Sequence, residues 1–113
     1  MIYEPFNIVA VPFPFTDKAK SKKRPAVIIS TEKFQKETGH ASMLMITSAK
    51  HSKWFGDFLV TDLEKTGLSQ PIIIRQKIFT IDLRLVEKAI GQLSKKDTNE
   101  IKSLLQKCLS TNA

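Results

Sequence analysis

A mainly β domain is what this sequence predicts: a small, strongly bent sheet or barrel with one α-helix at its C-terminal end. Three observations carry the expectation. Short β-branched and aromatic runs follow one another, each bounded by turn residues. After residue 94 the apolar spacing changes to a helical period. A length of 113 residues suits a single domain, 1–113, whose thin core a second copy would extend.

Ile8 to Phe15 is the first β-branched and aromatic run, and Pro12 and Pro14 mark its far end as an edge or a bulge because neither can donate to a ladder. Pro25 to Thr31 barely alternates, as a strand buried on both faces does. Residues 32–40 are polar and read as a helical turn ending at Gly39. Ala41 to Ser48 is a third strand that turns polar at its end. Trp54 to Thr61 reads as a fourth, and Gly67 marks a turn. Pro71 to Asp82, with Ile72-Ile73-Ile74 and Ile78-Phe79, gives the strongest remaining strand signal, and Ala89 to Leu93 completes five or six strands. Ile101, Leu104, Leu105, Cys108 and Leu109 then fall on one stripe of an amphipathic helix that packs on the sheet. Ser94 with Asp97, or Asp97 with Glu100, supplies its capping-box start.

Charge is concentrated. Lys and Arg number 18 against 11 Asp and Glu, a net +7, and residues 17–24 hold five positive charges and one negative, +4 of that surplus. Such a loop draws polyanions by counterion release, or else is a solubilising surface. A single cysteine, Cys108, excludes a disulfide framework and suits a reducing compartment. No apolar run approaches the roughly 18 residues of a membrane span, and the first residues do not read as a secretion leader. A cytoplasmic location is expected.

No Cys/His metal spacing, phosphate-cradling glycine loop, nucleophile elbow or dinucleotide fingerprint occurs, so neither metal nor cofactor is expected. His40 and His51, both in polar stretches, are a weak acid/base pair. Arg24 differs from the lysines before it. Placed just before the proline that opens a buried strand, it has an anchored backbone and offers a bidentate fork to phosphate oxygens, unless it simply pairs with a carboxylate. Thr47 and Ser48 end an apolar strand next to Lys50 and Lys53, a set suited to phosphate or ribose, or to plain turn chemistry. Trp54 could stack on a base or fill a core.

Taken together, Ile8-Val-Ala-Val-Pro-Phe-Pro-Phe-Thr-Asp17, Lys23-Arg-Pro-Ala-Val-Ile-Ile-Ser30, Ile46-Thr-Ser48, Lys77-Ile-Phe-Thr-Ile-Asp82 and Ile90-Gly-Gln-Leu-Ser94 resemble, in order and spacing, the MazF/PemK family of toxin endoribonucleases from bacterial toxin–antitoxin pairs. The resemblance implies a small SH3-like β-barrel of five to seven strands with a C-terminal α-helix, acting as a homodimer. It implies metal-independent, sequence-selective cleavage of single-stranded mRNA, and a cognate antitoxin that lays an acidic, disordered tail over the same surface. The family's catalytic pair falls on Arg24 and Thr47. Lys18, Lys20, Lys22, Lys23, Ser48, Lys50, Lys53 and Gln76 are the residues expected to bind substrate around it.

Attack of a ribose 2′-OH on its neighbouring phosphate fits these residues. Arg24 would donate to the non-bridging oxygens while Thr47 and Ser48 hold the group in line. The chain departs from the family at two points. Phe6-Asn7 stands where many members have Gly-Asp, and Gln76 stands where some relatives carry an acidic residue. Two other readings remain open at this level: a catalytically degenerate nucleic-acid-binding or regulatory module, and a gyrase poison of the same barrel. Against the latter, residues 95–113 lack a tryptophan.

Overall fold

The computed structural model describes residues 1–12, 23–50 and 53–110. Among them six strands form one curled antiparallel sheet: β1 (Asn7–Pro12), β2 (Lys23–Ile28), β3 (His40–Ser48), β4 (Phe58–Leu59), β5 (Ile72–Asp82) and β6 (Lys88–Gln92), in the order β4-β5-β3-β2-β1-β6. Helix α1 (Glu32–Thr38) links β2 to β3, and helix α2 (Lys95–Cys108) follows β6. The expected mainly β architecture with a C-terminal helix is what the chain adopts.

Alternation along the strands makes two cores, one on each side of the sheet. Val9, Val11, Ala26, Ile28, Met43, Phe79 and Ile81 fill one together with Tyr3 and Val86. Ile8, Val27, Leu44, Ile46, Ile74 and Leu93 fill the other beneath Ile101 of α2. Strand β2 serves both, so Ala26, Val27 and Ile28 are fully buried, as the unbroken apolar run predicted.

Strand β2 begins at Lys23, before Pro25 rather than at it, because Lys23 to Pro25 pair with Pro12 to Ala10 of β1. Its ladder to β3 is shorter: Ala26 faces Met45, Val27 faces Leu44 and Ile28 faces Met43, and there it stops. The reason is proline. Ile29 N donates to Ser42 O of β3, so by alternation Val27 and residue 25 also point their amides toward β3, and Pro25 has none.

Both helix starts follow their sequence signals. Thr31 accepts from Phe34 N to cap α1, which ends on Gly39 in the left-handed region (φ 69). Ser94 accepts from Asp97 N to cap α2. The reciprocal half of the expected capping box is absent. The buried Asp97 carboxylate instead takes Thr61 Oγ1 at 2.6 Å, Thr61 N at 3.2 Å and Asp62 N at 3.1 Å, fastening the first turn of α2 to the segment before the 3-10 turn at Glu64–Thr66. Gln35 is likewise buried, joining α1 to both main-chain groups of Tyr3.

The fourth strand is much shorter than Trp54 to Thr61. Asp57 N donates to Trp54 O, Trp54 N donates to Asp57 Oδ2, and Gly56 sits at φ 88, so residues 54–57 form a turn and only Phe58–Leu59 pair with β5. Phe6 is the non-glycine residue with positive φ among those described (φ 68); its amide bonds Ile28 O and its carbonyl takes Leu93 N, tying the entry of β1 to β2 and β6. That conformation explains why a glycine would suit this position.

Candidate active site

Where the β2–β3 ladder stops, the two strand ends frame a cleft. Continuing the register two residues past Ala26–Met45 sets Arg24 opposite Thr47. A cavity of about 300 Å³ opens there, walled by Arg24 and Pro25 from β2 and by Ile46, Thr47 and Ser48 from β3. The segment Leu68 to Ile72, which leads into β5, makes the opposite wall. Arg24 is exposed and Thr47 half-buried, while Ile46 beneath them is buried. The floor is therefore apolar and the rim polar. An anion held there would meet a guanidinium on one side and two hydroxyls on the other.

The sequence-predicted residues divide around this cleft. Arg24, Thr47 and Ser48 come together on it. Lys50 lines an adjoining cavity that shares Ser48, Gln70 and Pro71 with the first. Lys23, one residue from Arg24, is exposed and reaches Glu87 of the neighbouring turn at 3.9 Å. Lys18, Lys20, Lys22 and His51 lie outside the described residues. His40 stands at the other end of β3, seven residues or roughly 23 Å from Thr47 at strand rise, so it is no partner for the cleft.

Gln76 and Lys53 are not part of the cleft wall. Gln76 lies in β5 at the irregularity opposite Leu44 and Met45, and both polar atoms of its amide are buried without a hydrogen-bond partner. It sits beneath Gly56: a Cβ added there would come within 2.8 Å of Gln76 Cγ and of Cys108 Sγ. The 54–57 turn and the end of α2 therefore close over this amide.

A second polar assembly holds that turn. The Arg75 guanidinium clasps the Asp57 carboxylate with Nε to Oδ1 at 3.1 Å and Nη2 to Oδ2 at 2.9 Å, each side chain 8% exposed. Arg75 Cζ lies over the Trp54 ring, 5.0 Å from the ring centroid, with Lys77 Nζ at 5.8 Å from it. Burial pushes the Asp57 carboxyl up, but the Arg75 hydrogen bonds, the Trp54 amide and the Arg75 charge outweigh it and leave it below its ordinary value. The Asp57 hydrogen bonds hold the Arg75 pKa above its own. Sequence reasoning missed this pair, since Asp57 and Arg75 are 18 residues apart and only the sheet register brings them together. It also missed Leu68 to Pro71, a polar loop with no motif.

Comparison with known proteins accords with this architecture. No curated protein sequence matches the chain. Among solved structures, an endoribonuclease in complex with its cognate antitoxin from a mycobacterial species superimposes with a TM-score of 0.77 at 12% identity, covering 98% of each chain. MazF from Deinococcus radiodurans gives 0.75 at 14% identity, covering 98% of this chain and 99% of that one. A MazE–MazF complex from the same organism gives 0.73 at 15% identity over 97% of each. At such identities the likeness is one of fold. The family model of the PemK-like, MazF-like toxins of type II toxin–antitoxin systems matches residues 4–109. With nearly the whole chain matched, and with the curled sheet and C-terminal helix in place, this protein belongs to that toxin family.

Proposed function

We propose that this protein is a cytoplasmic, sequence-selective endoribonuclease that cuts single-stranded mRNA without a metal or cofactor, as one domain over residues 1–113. The observation that carries the reading is that Arg24, Thr47 and Ser48 line one cleft where the β2–β3 ladder ends. In the reaction, the ribose 2′-OH gives up its proton to solvent as its oxygen bonds to the adjacent phosphorus, the bond to the 5′-oxygen breaks, and that oxygen takes up a proton from solvent. The products are a 2′,3′-cyclic phosphate and a 5′-hydroxyl end. Arg24 donates to the non-bridging oxygens as they gain charge and to the departing 5′-oxygen. Thr47 and Ser48 hold the phosphoryl group in line. Losing one such donor lowers the rate by about 10²–10³. DNA, which lacks the 2′-OH, is not cut.

Lys18, Lys20, Lys22 and Lys23 gather the RNA backbone, and Lys50 and Lys53 continue the basic rim past Ser48. Gln76, expected at the substrate, instead lies under the 54–57 turn with its amide buried, and takes no part in this reading. The active form is a homodimer, and the partner that silences it is an antitoxin whose acidic, disordered tail competes for the same basic surface. In support, similar folds occur in MazE–MazF and endoribonuclease–antitoxin complexes.

The test is induction of the wild type and of Arg24→Ala in growing cells, with 5′-end mapping of total RNA. Wild-type induction arrests growth and creates new ends at one short motif, and Arg24→Ala relieves both. Cleavage by purified protein persists in EDTA. Wild-type induction that leaves growth and RNA ends unchanged replaces the enzyme with a non-catalytic nucleic-acid-binding or regulatory module.

A further inference from the structure

The cavity beside the cleft has a composition of its own. It measures about 220 Å³ and is lined by Ser48, Ala49, Lys50, Gln70 and Pro71. Ser48, Gln70 and Pro71 line both cavities, so they form the partition between them. The partition is braced from both sides. Ala49 N donates to Pro71 O at 3.3 Å, stitching the end of β3 to the entry of β5. Lys50 N donates to Ser48 Oγ at 3.2 Å, which leaves the Ser48 O–H to donate elsewhere.

These groups do not make a second phosphate site. One ammonium, on Lys50, stands at the rim, whereas the interior offers the Ala49 methyl and the Pro71 ring. Apolar faces of this kind suit the flat side of a heterocycle rather than an oxyanion. The remaining polar group is the carboxamide of Gln70, which is exposed and has no hydrogen-bond partner among the described residues. A carboxamide presents a donor and an acceptor side by side in one plane. That is the pattern needed to read a nucleobase edge bidentately, whereas ammonium groups and hydroxyls read phosphate without regard to base. Single-stranded RNA is recognised in this way, by splayed bases whose edges are open.

We infer that this second cavity is a nucleobase subsite for the residue flanking the scissile phosphate, and that Gln70 determines which base is accepted there. The inference rests on the proposed RNA cleavage and adds the element that gives it sequence preference. With a phosphate between Arg24 and Thr47, the neighbouring base lies on Ala49 and Pro71, its edge meets the Gln70 amide, and Lys50 takes the following phosphate.

The experiment compares wild type, Gln70→Ala and Gln70→Glu at fixed salt. The substrates are short RNAs in which each nucleotide around the mapped cut is varied through all four bases. Binding is measured in parallel on the same RNAs carrying a 2′-deoxy residue at the cut. Wild type discriminates at one flanking position by about tenfold or more. Gln70→Ala loses discrimination at that position alone, with the effect in KM and in binding rather than in kcat. Gln70→Glu, which replaces a donor with an acceptor, changes the preferred base. Unchanged preference in Gln70→Ala overturns the assignment, as does a uniform, base-independent weakening, which marks a backbone contact. Wild type that cuts none of the RNAs overturns the proposed cleavage itself and this inference with it. Wild type that cuts while Gln70→Ala keeps every preference overturns this inference alone.

Discussion

Arg24 of β2 and Thr47 of β3 line one cleft, each two residues beyond the Ala26–Met45 pair at which the hydrogen-bonded ladder ends. One strand supplies the cation and the other the hydroxyl, and both backbones run directly into the buried core at Ala26 and Ile46. Arg24→Lys keeps the charge but not the planar fork. It is expected to bind RNA within a few-fold of wild type and to cut it about 10²-fold more slowly. Thr47→Val, similar in shape, is expected to lose a comparable factor in kcat. Single-turnover rates at saturating protein, beside binding to an uncleavable RNA, check both. A loss confined to binding would mean that these two residues only hold the strand.

On the proposed function, the lysines at 18, 20, 22 and 23 act on RNA collectively rather than singly. Replacing Lys18, Lys20, Lys22 and Lys23 by serine is expected to weaken RNA binding at low salt. The slope of log K against log salt should fall by up to roughly 3, at about 0.7 per phosphate contact on a single strand. Lys23 shares its charge with Glu87, so it should contribute the least of the four. Titrations at several salt concentrations read the slope, and an unchanged slope removes the loop from the RNA path.

The Asp57–Arg75 pair predicts an acid-sensitive turn. Its carboxyl titrates lower in the folded chain than the usual value of about 3.9, so the stabilisation is complete above that value and drains away as pH falls toward the folded pKa. Asp57→Asn is expected to destabilise the protein by about 3 kcal/mol at pH 7, and the difference from wild type should shrink below pH 4. Denaturant melts across that range decide. A difference that is constant with pH would assign the effect to packing.

Phe6 tests backbone strain against side-chain packing. Its φ of 68 favours glycine, while its ring packs on the core beneath α2 and lies 5.5 Å from Lys102 Nζ. Phe6→Ala loses the packing and keeps the strain, whereas Phe6→Gly loses the packing and relieves it. The glycine variant is therefore expected to be the more stable of the two by about 1 kcal/mol. Their melting temperatures in one buffer give the order, and the reverse order would show that the strain is negligible.

Much of this fold was legible because its signals are local. The apolar run Ala26-Val27-Ile28, the cap at Ser94 and the left-handed Gly39 each depend on neighbours within a turn or strand. Arg24 stood out because Pro25 anchors its backbone, and Thr47-Ser48 because they end an apolar strand; the family resemblance alone paired Arg24 with Thr47. The turn at 54–57 was read as strand because its aromatic residues have β propensity, and the contact that overrides it, Asp57 on Arg75, is long-range. Asp97 was misjudged for the same reason: a first-turn carboxylate usually serves its own helix, and here it serves Thr61 and Asp62. Gln70 has no sequence signal at all; only the fold places it between two cavities.

Pro25 gives the cleft an unusual genetic consequence. The site exists because one hydrogen bond is absent, so a residue with an N–H at this position could extend the β2–β3 ladder and draw the strand ends together. The net change in stability would be small, about one hydrogen bond set against a less restricted unfolded chain. Its effect on access between Arg24 and Thr47 would not be. On the proposed function, such a change would disarm the chain while leaving its folding nearly intact. Survivors of wild-type induction are expected to include substitutions at Pro25 alongside those at Arg24. Sequencing such survivors, with melting curves for the Pro25 variants, tests whether inactivation without unfolding is common.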